Sequence, residues 1–312
     1  MVLDNRPPAH DQLEFFIEQT SKTPAVSTAV IHPVDANSLN GAIEAAERNI
    51  IEPILVGPED KIRATAEMEE LDISPYRIIN TLHSHESAEK AVALARSLEV
   101  RILMKGGLAT DEMLKAVIHK DKGVRTERRL SHIFMLDVPN YHKPLMITDA
   151  AINVVPDMNI KRDIVQNAIY FAQALGIDQP KVAILAAIEK VKSTMQSTVD
   201  AAALCKMSDR GQIIGGLLDG PLAFDNAISL EAAHDKHIIS AVAGDADILL
   251  APDLEAANMI GKQLIYLAGA KSAGLVLGAR VPIVLTSRAE KTLGRLASCA
   301  LAALQVTHGA VK

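Results

Sequence analysis

Tryptophan is missing from all 312 residues, and aromatics are otherwise limited to five phenylalanines and four tyrosines. So few rings do not suit an all-β binding module. Without a basic stripe interleaved with aromatics, the chain also lacks the footprint of a nucleic-acid binder, and none is expected as partner. Cysteine is nearly absent: Cys205 and Cys299 stand alone, with no C-x-x-C pair and no His/Cys cluster. That argues against a disulfide framework and a structural zinc site, and suits a reducing, cytoplasmic compartment. No uninterrupted apolar run reaches the ~20 residues that span a bilayer. The longest candidate, 264–285, is broken by Lys271, Arg280 and Pro282, so no membrane association is expected. Residues 1–8 have no basic start followed by an apolar stretch, and the expectation is a chain without a secretory signal. Also missing are the G-x-S-x-G elbow of hydrolases, the Walker phosphate loop and the G-x-G-x-x-G dinucleotide loop. The net charge of −6 is mild and slightly repels anions, so an anionic substrate would need local positive groups.

What is present is aliphatic residues in alternation. A chain this long exceeds one comfortable hydrophobic core, which predicts two domains. Strand-like runs fall at 27–31, 53–56, 76–79 and 102–104, with helical patterns at 38–49, 61–71 and 87–98 between them. Ser38 and Ser87 are plausible N-caps, since a hydroxyl accepts from free first-turn amides. Strand-like 133–136 and 145–148 follow with no helix between, which predicts an antiparallel insertion or a domain crossing. Alternation then resumes: helices at 159–175, 194–207, 224–233, 254–268 and 289–304, strands at 182–187, 214–218, 248–251 and 283–285. The expected fold is α/β, two α/β/α domains with mostly parallel sheets. The first covers 1–143 and is joined by a C-terminal helix within 289–312; the second covers 144–288.

Ligands of parallel sheets sit beyond the carboxyl ends of strands, so the polar strand-to-helix turns are the places to look. In Met104-Lys105-Gly106-Gly107, glycines could let amides approach a phosphate beside a lysine, with Thr110 capping the next helix. The alternative is a plain glycine turn with a solvated lysine. Arg125, Arg128 and Arg129 precede a strand; guanidinium forks bind phosphate, although such a run is also an ordinary solvated face. Asp149 and Asn153 share a face if helical, or simply build a turn. Asp253 reads as an N-cap after the strand ending at Pro252, with Asn258 inside the new helix. Thr286-Ser287-Arg288 lies where a strand meets a helix start and could hold a tetrahedral oxyanion, or merely cap the helix. The histidines, including His83 and His85, show no metal-ligand spacing.

Together the segments resemble the phosphate acetyl/butyryltransferase family over residues 25–308. The run 246–258, the segment Asp219-Gly220-Pro221-Leu222-Ala223-Phe224-Asp225 and the pair Ser287-Arg288 carry the likeness. Met104-Lys105-Gly106-Gly107 and 131–153 look more like the butyryltransferase branch. The resemblance implies a fold related to isocitrate and isopropylmalate dehydrogenases, an active site in an interdomain cleft, and a homodimer. It implies transfer of a short acyl group between coenzyme A and phosphate, with coenzyme A as substrate, no bound cofactor and no metal. Ser287 and Arg288 are then the expected catalytic pair. Arg129, Lys105, Gly106, Gly107, Asp149 and Asn153 are the expected phosphate or substrate contacts, and Asp253, Asn258 and Thr286 the expected coenzyme A contacts. One departure stands out. The acetyltransferase type carries an Asp a few residues past its Ser-Arg pair; here Ala289-Glu290-Lys291-Thr292-Leu293-Gly294 holds none, and no base is assigned. Three rivals are a catalytically impaired coenzyme A-binding or regulatory member of the same fold, a decarboxylating dehydrogenase of related fold, and a fatty-acyl phosphate synthase. The last lacks its glycine- and Asp-rich N-terminal signature here.

Overall fold

A computed structural model describes residues 11–285 and 292–309. They group into two compact units, one of 13–128 with 273–308, the other of 129–272 with 11–12.

In the first unit the order is α1 (Gln12–Ser21), β1 (Val26–Ile31), α2 (Ala36–Glu47), β2 (Ile51–Gly57), α3 (Glu59–Met68), β3 (Arg77–Asn80), α4 (Ser84–Arg96), β4 (Ile102–Lys105) and α5 (Thr110–Val117). The sheet runs β3-β2-β1-β4 in parallel. Aliphatic side chains make these strands: all of β4 but Lys105 is buried, and Ala29, Val30 and Ile31 are fully so. Helix α2 turns Leu39, Ala42, Ile43 and Ala45 inward at helical spacing. Its N-cap is Asp35 rather than Ser38, because the Asp35 carboxylate accepts the Ser38 amide at 3.0 Å. The N-cap of α4 is His83 rather than Ser87: its Nδ1 accepts the Glu86 amide, while Ser87 is buried one turn inside the helix. Thr110 is likewise the first residue of α5, after the N-cap Ala109. His83 and His85 thus stand at the start of α4, and His85 Nδ1 lies 2.7 Å from a Glu112 carboxylate oxygen.

The second unit holds β5 (Ser131–Asp137), β6 (Leu145–Thr148), α6 (Met158–Ala174), β7 (Lys181–Leu185), α7 (Gln196–Asp209), β8 (Leu217–Leu222), α8 (Phe224–Ile228), α9 (Leu230–Asp235), β9 (Ile248–Leu250) and α10 (Leu254–Tyr266). Its sheet runs β5-β6-β9-β7-β8, parallel except for β5 against β6. That antiparallel pair answers the expectation of two strands without a helix between. It also groups 129–143 with the residues after them, where the sequence reading drew the border at 143/144. The helix expected at 224–233 is two, because Ser229 is extended (φ −121°) and caps α9. Strand β8 starts later than expected, after Gly215 at φ +84°.

The chain returns to the first unit through β10 (Lys271–Leu277), β11 (Ile283–Val284) and α11 (Thr292–His308). The apolar run 264–285 is therefore the end of one helix, an unforeseen strand β10 and β11; Gly269 and Gly278 sit at φ +71° and +89° in the turns between. Strand β11 lies parallel beside β4, with Ile283 opposite Leu103 and Val284 opposite Met104, and antiparallel to β10. Helix α11 packs on β4, β11 and α2. Among the described residues no helix is long and apolar enough to cross a membrane.

Candidate functional site

In each unit the polar turns gather at the carboxyl edge of the parallel strands, the edge where ligands of such sheets bind. In the second unit β6 delivers Asp149, which is buried, and five donors converge on its carboxylate. Oδ1 accepts from the amides of His132, Ala151 and Ile152 at 3.0–3.1 Å. Oδ2 accepts from the amide and the side-chain Nδ2 of Asn153 at 3.1 and 2.6 Å. Burial raises the Asp149 carboxyl above its usual range, and these donors oppose that rise. Asn153 also donates to the Leu130 carbonyl at 2.8 Å, so Asp149 and Asn153 form a turn, not a helix face. The Asn258 amide donates to the Ala150 carbonyl, and Leu254 N donates to the Val154 carbonyl, tying the start of α10 to the same loop. Asp253 caps α10 as expected, accepting the Ala256 amide at 2.8 Å.

Arg129 stands at this edge because β5 starts there, antiparallel to β6. Its backbone is clamped from α6: its amide donates to Asp163 Oδ2 at 3.1 Å, and its carbonyl accepts from Asn167 Nδ2 at 2.9 Å. The side chain is exposed and enters no ion pair among the described residues. Sequence reasoning missed Asp163 and Asn167; their i, i+4 spacing on a helix was the available signal. It also missed the buried pair of Lys161 Nζ with Asp200 Oδ2, 2.7 Å apart, which ties α6 to α7 near the same edge.

In the first unit β4 ends at Lys105, whose Nζ donates to the Gly106 carbonyl at 3.2 Å. Gly106 and Gly107 do not offer amides to a ligand. Their N–H groups donate to the carbonyls of Ile31 and His32 at 2.9 and 2.8 Å. Glycine is needed for close approach instead: a Cβ on Gly106 would lie 2.3 Å from the Ile31 oxygen, and one on Gly107 2.7 Å from Asp35 Oδ2. This corrects the expected amide cradle. Strand β11 runs beside the end of β4; Thr286, Ser287 and Arg288 lie outside the described residues.

Among the described residues no group of three or more His, Cys, Asp or Glu is placed to hold a metal ion. Burial pushes both thiols, Cys205 and Cys299, up to about 12, so neither is poised as a thiolate nucleophile. Asp245 and Asp247 sit at the amino edge of β9. Lys143 bridges them at 2.9 and 2.8 Å, and Lys181 also pairs with Asp245.

A family model described as phosphate acetyl/butaryl transferase matches residues 84–303. The chain is 58% identical over 284 residues to a phosphate acetyltransferase of Rhizobium meliloti, covering 91% of this chain and 90% of that protein. It is 43% identical to a phosphate butyryltransferase of Clostridium beijerinckii, covering 92% and 95%. Both branches are thus represented, the higher of these two identities being to a protein named as an acetyltransferase. A crystal structure of a branched-chain phosphotransacylase from Enterococcus faecalis superposes with a TM-score of 0.80 at 29% identity, over 91% of this chain and 99% of that one. With more than half its length matched by the family model, and with relatives this similar along nearly all of it, the chain belongs to the phosphate acetyl/butaryl transferase family.

Proposed function

We propose that this protein is an enzyme that moves a short acyl group between coenzyme A and inorganic phosphate, acyl-CoA plus phosphate giving acyl phosphate plus coenzyme A. Family membership carries the reading. The placement of Lys105, Arg129, Asp149 and Asp253 at the carboxyl edges of parallel strands supports it.

The chemistry needs no covalent intermediate. The coenzyme A thiolate attacks the carbonyl carbon of the acyl phosphate, a carbon–sulfur bond forms, and the oxyanion collapses with cleavage of the carbon–oxygen bond to phosphate. In reverse, a phosphate oxygen attacks the thioester and the thiolate leaves. Holding both substrates side by side removes most of the entropic barrier. A guanidinium and hydroxyl at Arg288 and Ser287 would stabilise the oxyanion and the phosphoryl oxygens. Arg129, with its backbone clamped by Asp163 and Asn167, and Lys105 at the end of β4 are the proposed further phosphate contacts. Asp253, Asn258 and Thr286 are proposed to meet coenzyme A, with Asp149 and Asn153 shaping the loop beside them. A free thiol has a pKa near ~8.5, and a positive site lowers it, so thiolate forms without a strong base.

A homodimer in the cytoplasm is part of the proposal. Helix α10 supports association: Met259 and Tyr266 on it, and Leu267 after it, are exposed. A sedimentation mass of one chain would refute the dimer. Nothing favours a decarboxylating dehydrogenase, since Asp245 and Asp247 are engaged by lysines at the amino edge.

The decisive assay is coenzyme A release from a panel of acyl-CoAs with and without phosphate, wild type against Arg288→Ala. The expected result is phosphate-dependent release in the wild type and a loss of at least a hundredfold in the variant, with an unchanged circular dichroism spectrum. An unchanged rate removes Arg288 from the mechanism.

A further inference from the structure

Where β1 ends, His32 occupies a left-handed conformation, φ +58°, that most side chains avoid. It is buried, 8% exposed, and every backbone polar group of it is used. Its amide donates to the Val56 carbonyl at 2.7 Å; its carbonyl accepts from both Val34 N and Gly107 N at 2.9 and 2.8 Å. The ring is anchored as well, Nδ1 lying 3.1 Å from Ser87 Oγ, which is itself 2.8 Å from Thr81 Oγ1 and donates to the His83 carbonyl at 3.0 Å. A strained residue persists only where its surroundings over-determine it, and such residues cluster at functional sites.

The strain is spent on one neighbour. The left-handed turn aims the His32 carbonyl at Gly107, while Ile31 receives Gly106, so the turn that ends β4 rests on the turn that ends β1. Lys105 is the residue immediately before those two amides. We infer that His32 is a positioning residue: locked by Ser87 in a left-handed turn, it sets the Lys105-Gly106-Gly107 turn and thereby the affinity of Lys105 for phosphate. This rests on the reading of Lys105 as a phosphate contact. In this role His32 acts through Lys105.

The test compares His32→Val, which cannot adopt the turn without strain, His32→Asn, whose side chain tolerates it, Lys105→Met and the double variant His32→Val/Lys105→Met. Each is measured for the KM of phosphate and of acyl-CoA, and for the Kd of inorganic phosphate by calorimetry, which needs no turnover. For His32→Val we expect the phosphate KM and Kd to rise at least tenfold while the acyl-CoA KM stays within twofold. His32→Asn should stay within threefold of wild type. The double variant should be no weaker for phosphate than Lys105→Met. Should His32→Val fail to fold, Gly107→Ala presses on the same junction from the other side and should give the same signature. The inference is overturned if phosphate affinity is unmoved, if both KM values rise together, if the two single effects multiply in the double variant, or if Lys105→Met leaves phosphate affinity intact. A wild type that binds phosphate but releases no coenzyme A from any acyl-CoA would instead sink the proposed reaction.

Discussion

Removing the carboxylate of Asp200 strands a buried ammonium. Lys161 Nζ lies 2.7 Å from Asp200 Oδ2, and the two side chains are only 6% and 8% exposed. Gln196 Nε2 donates to the other Asp200 oxygen at 2.7 Å. At an effective dielectric of about 20 the attraction across 2.7 Å is about 6 kcal/mol. Taking both ions out of water costs several kcal/mol each, so the intact pair is close to neutral for stability. Breaking it is different: Asp200→Ala leaves the lysine buried without its counter-charge, a loss of about 3–5 kcal/mol. In melting temperature that is roughly 6–20 °C for a domain of this size. Replacing both residues, as Lys161→Met with Asp200→Leu, removes the charges together and should return to within about 1 kcal/mol of wild type. Urea unfolding followed by circular dichroism reads all three variants. A cost below about 1 kcal/mol for Asp200→Ala, or a double variant as unstable as the single, would refute the reasoning.

Gly106→Ala sets a Cβ 2.3 Å from the Ile31 carbonyl oxygen, backbone that no rotamer change can move aside, and should cost about 3 kcal/mol. Gly211→Ala, at φ +71° with nothing near its Cβ, should cost only the strain of about 1–2 kcal/mol; equal melting temperatures for the two would contradict the packing argument. Acid should weaken the fold through Asp245. Burial works to raise its carboxyl, but Lys181, Lys143 and His142 outweigh it and hold the group well below the ordinary carboxylate range. A depressed carboxyl contributes stability that is present above the unfolded value of about 3.9 and is lost as pH falls through the folded value. Unfolding free energy should therefore decline more steeply below about pH 4 in the wild type than in Asp245→Asn, and parallel curves would remove Asp245 from that role.

The alternation of aliphatic runs and helical patterns was enough to read two α/β units, because strand and helix periods are local properties of the chain. The strands at 145–148 and 248–250 and the cap at Asp253 were legible for the same reason. Caps were legible only in part: hydroxyls marked Ser38 and Ser87 as candidates, yet the oxygen or nitrogen that reaches the first-turn amides comes from Asp35 and His83. Strand β10 was hidden inside a long apolar run, since helix, strand and turn there differ in hydrophobic period too briefly to separate. Candidate site residues were recognisable as types in a pattern, but not what each one does. Asp149 and Asn153 hold a loop, and the glycines after Lys105 serve close approach and donate their amides to the Ile31 and His32 carbonyls rather than to a ligand, because strands far apart in sequence meet edge to edge. The sequence by itself determined the α/β class, most of the strands and helices in their order, and the family. Only the tertiary structure decided that His32 supports the Lys105 turn and that Asp163 and Asn167 clamp Arg129. Those hydrogen bonds join residues tens of positions apart, and no local pattern encodes which carbonyl a given amide will find.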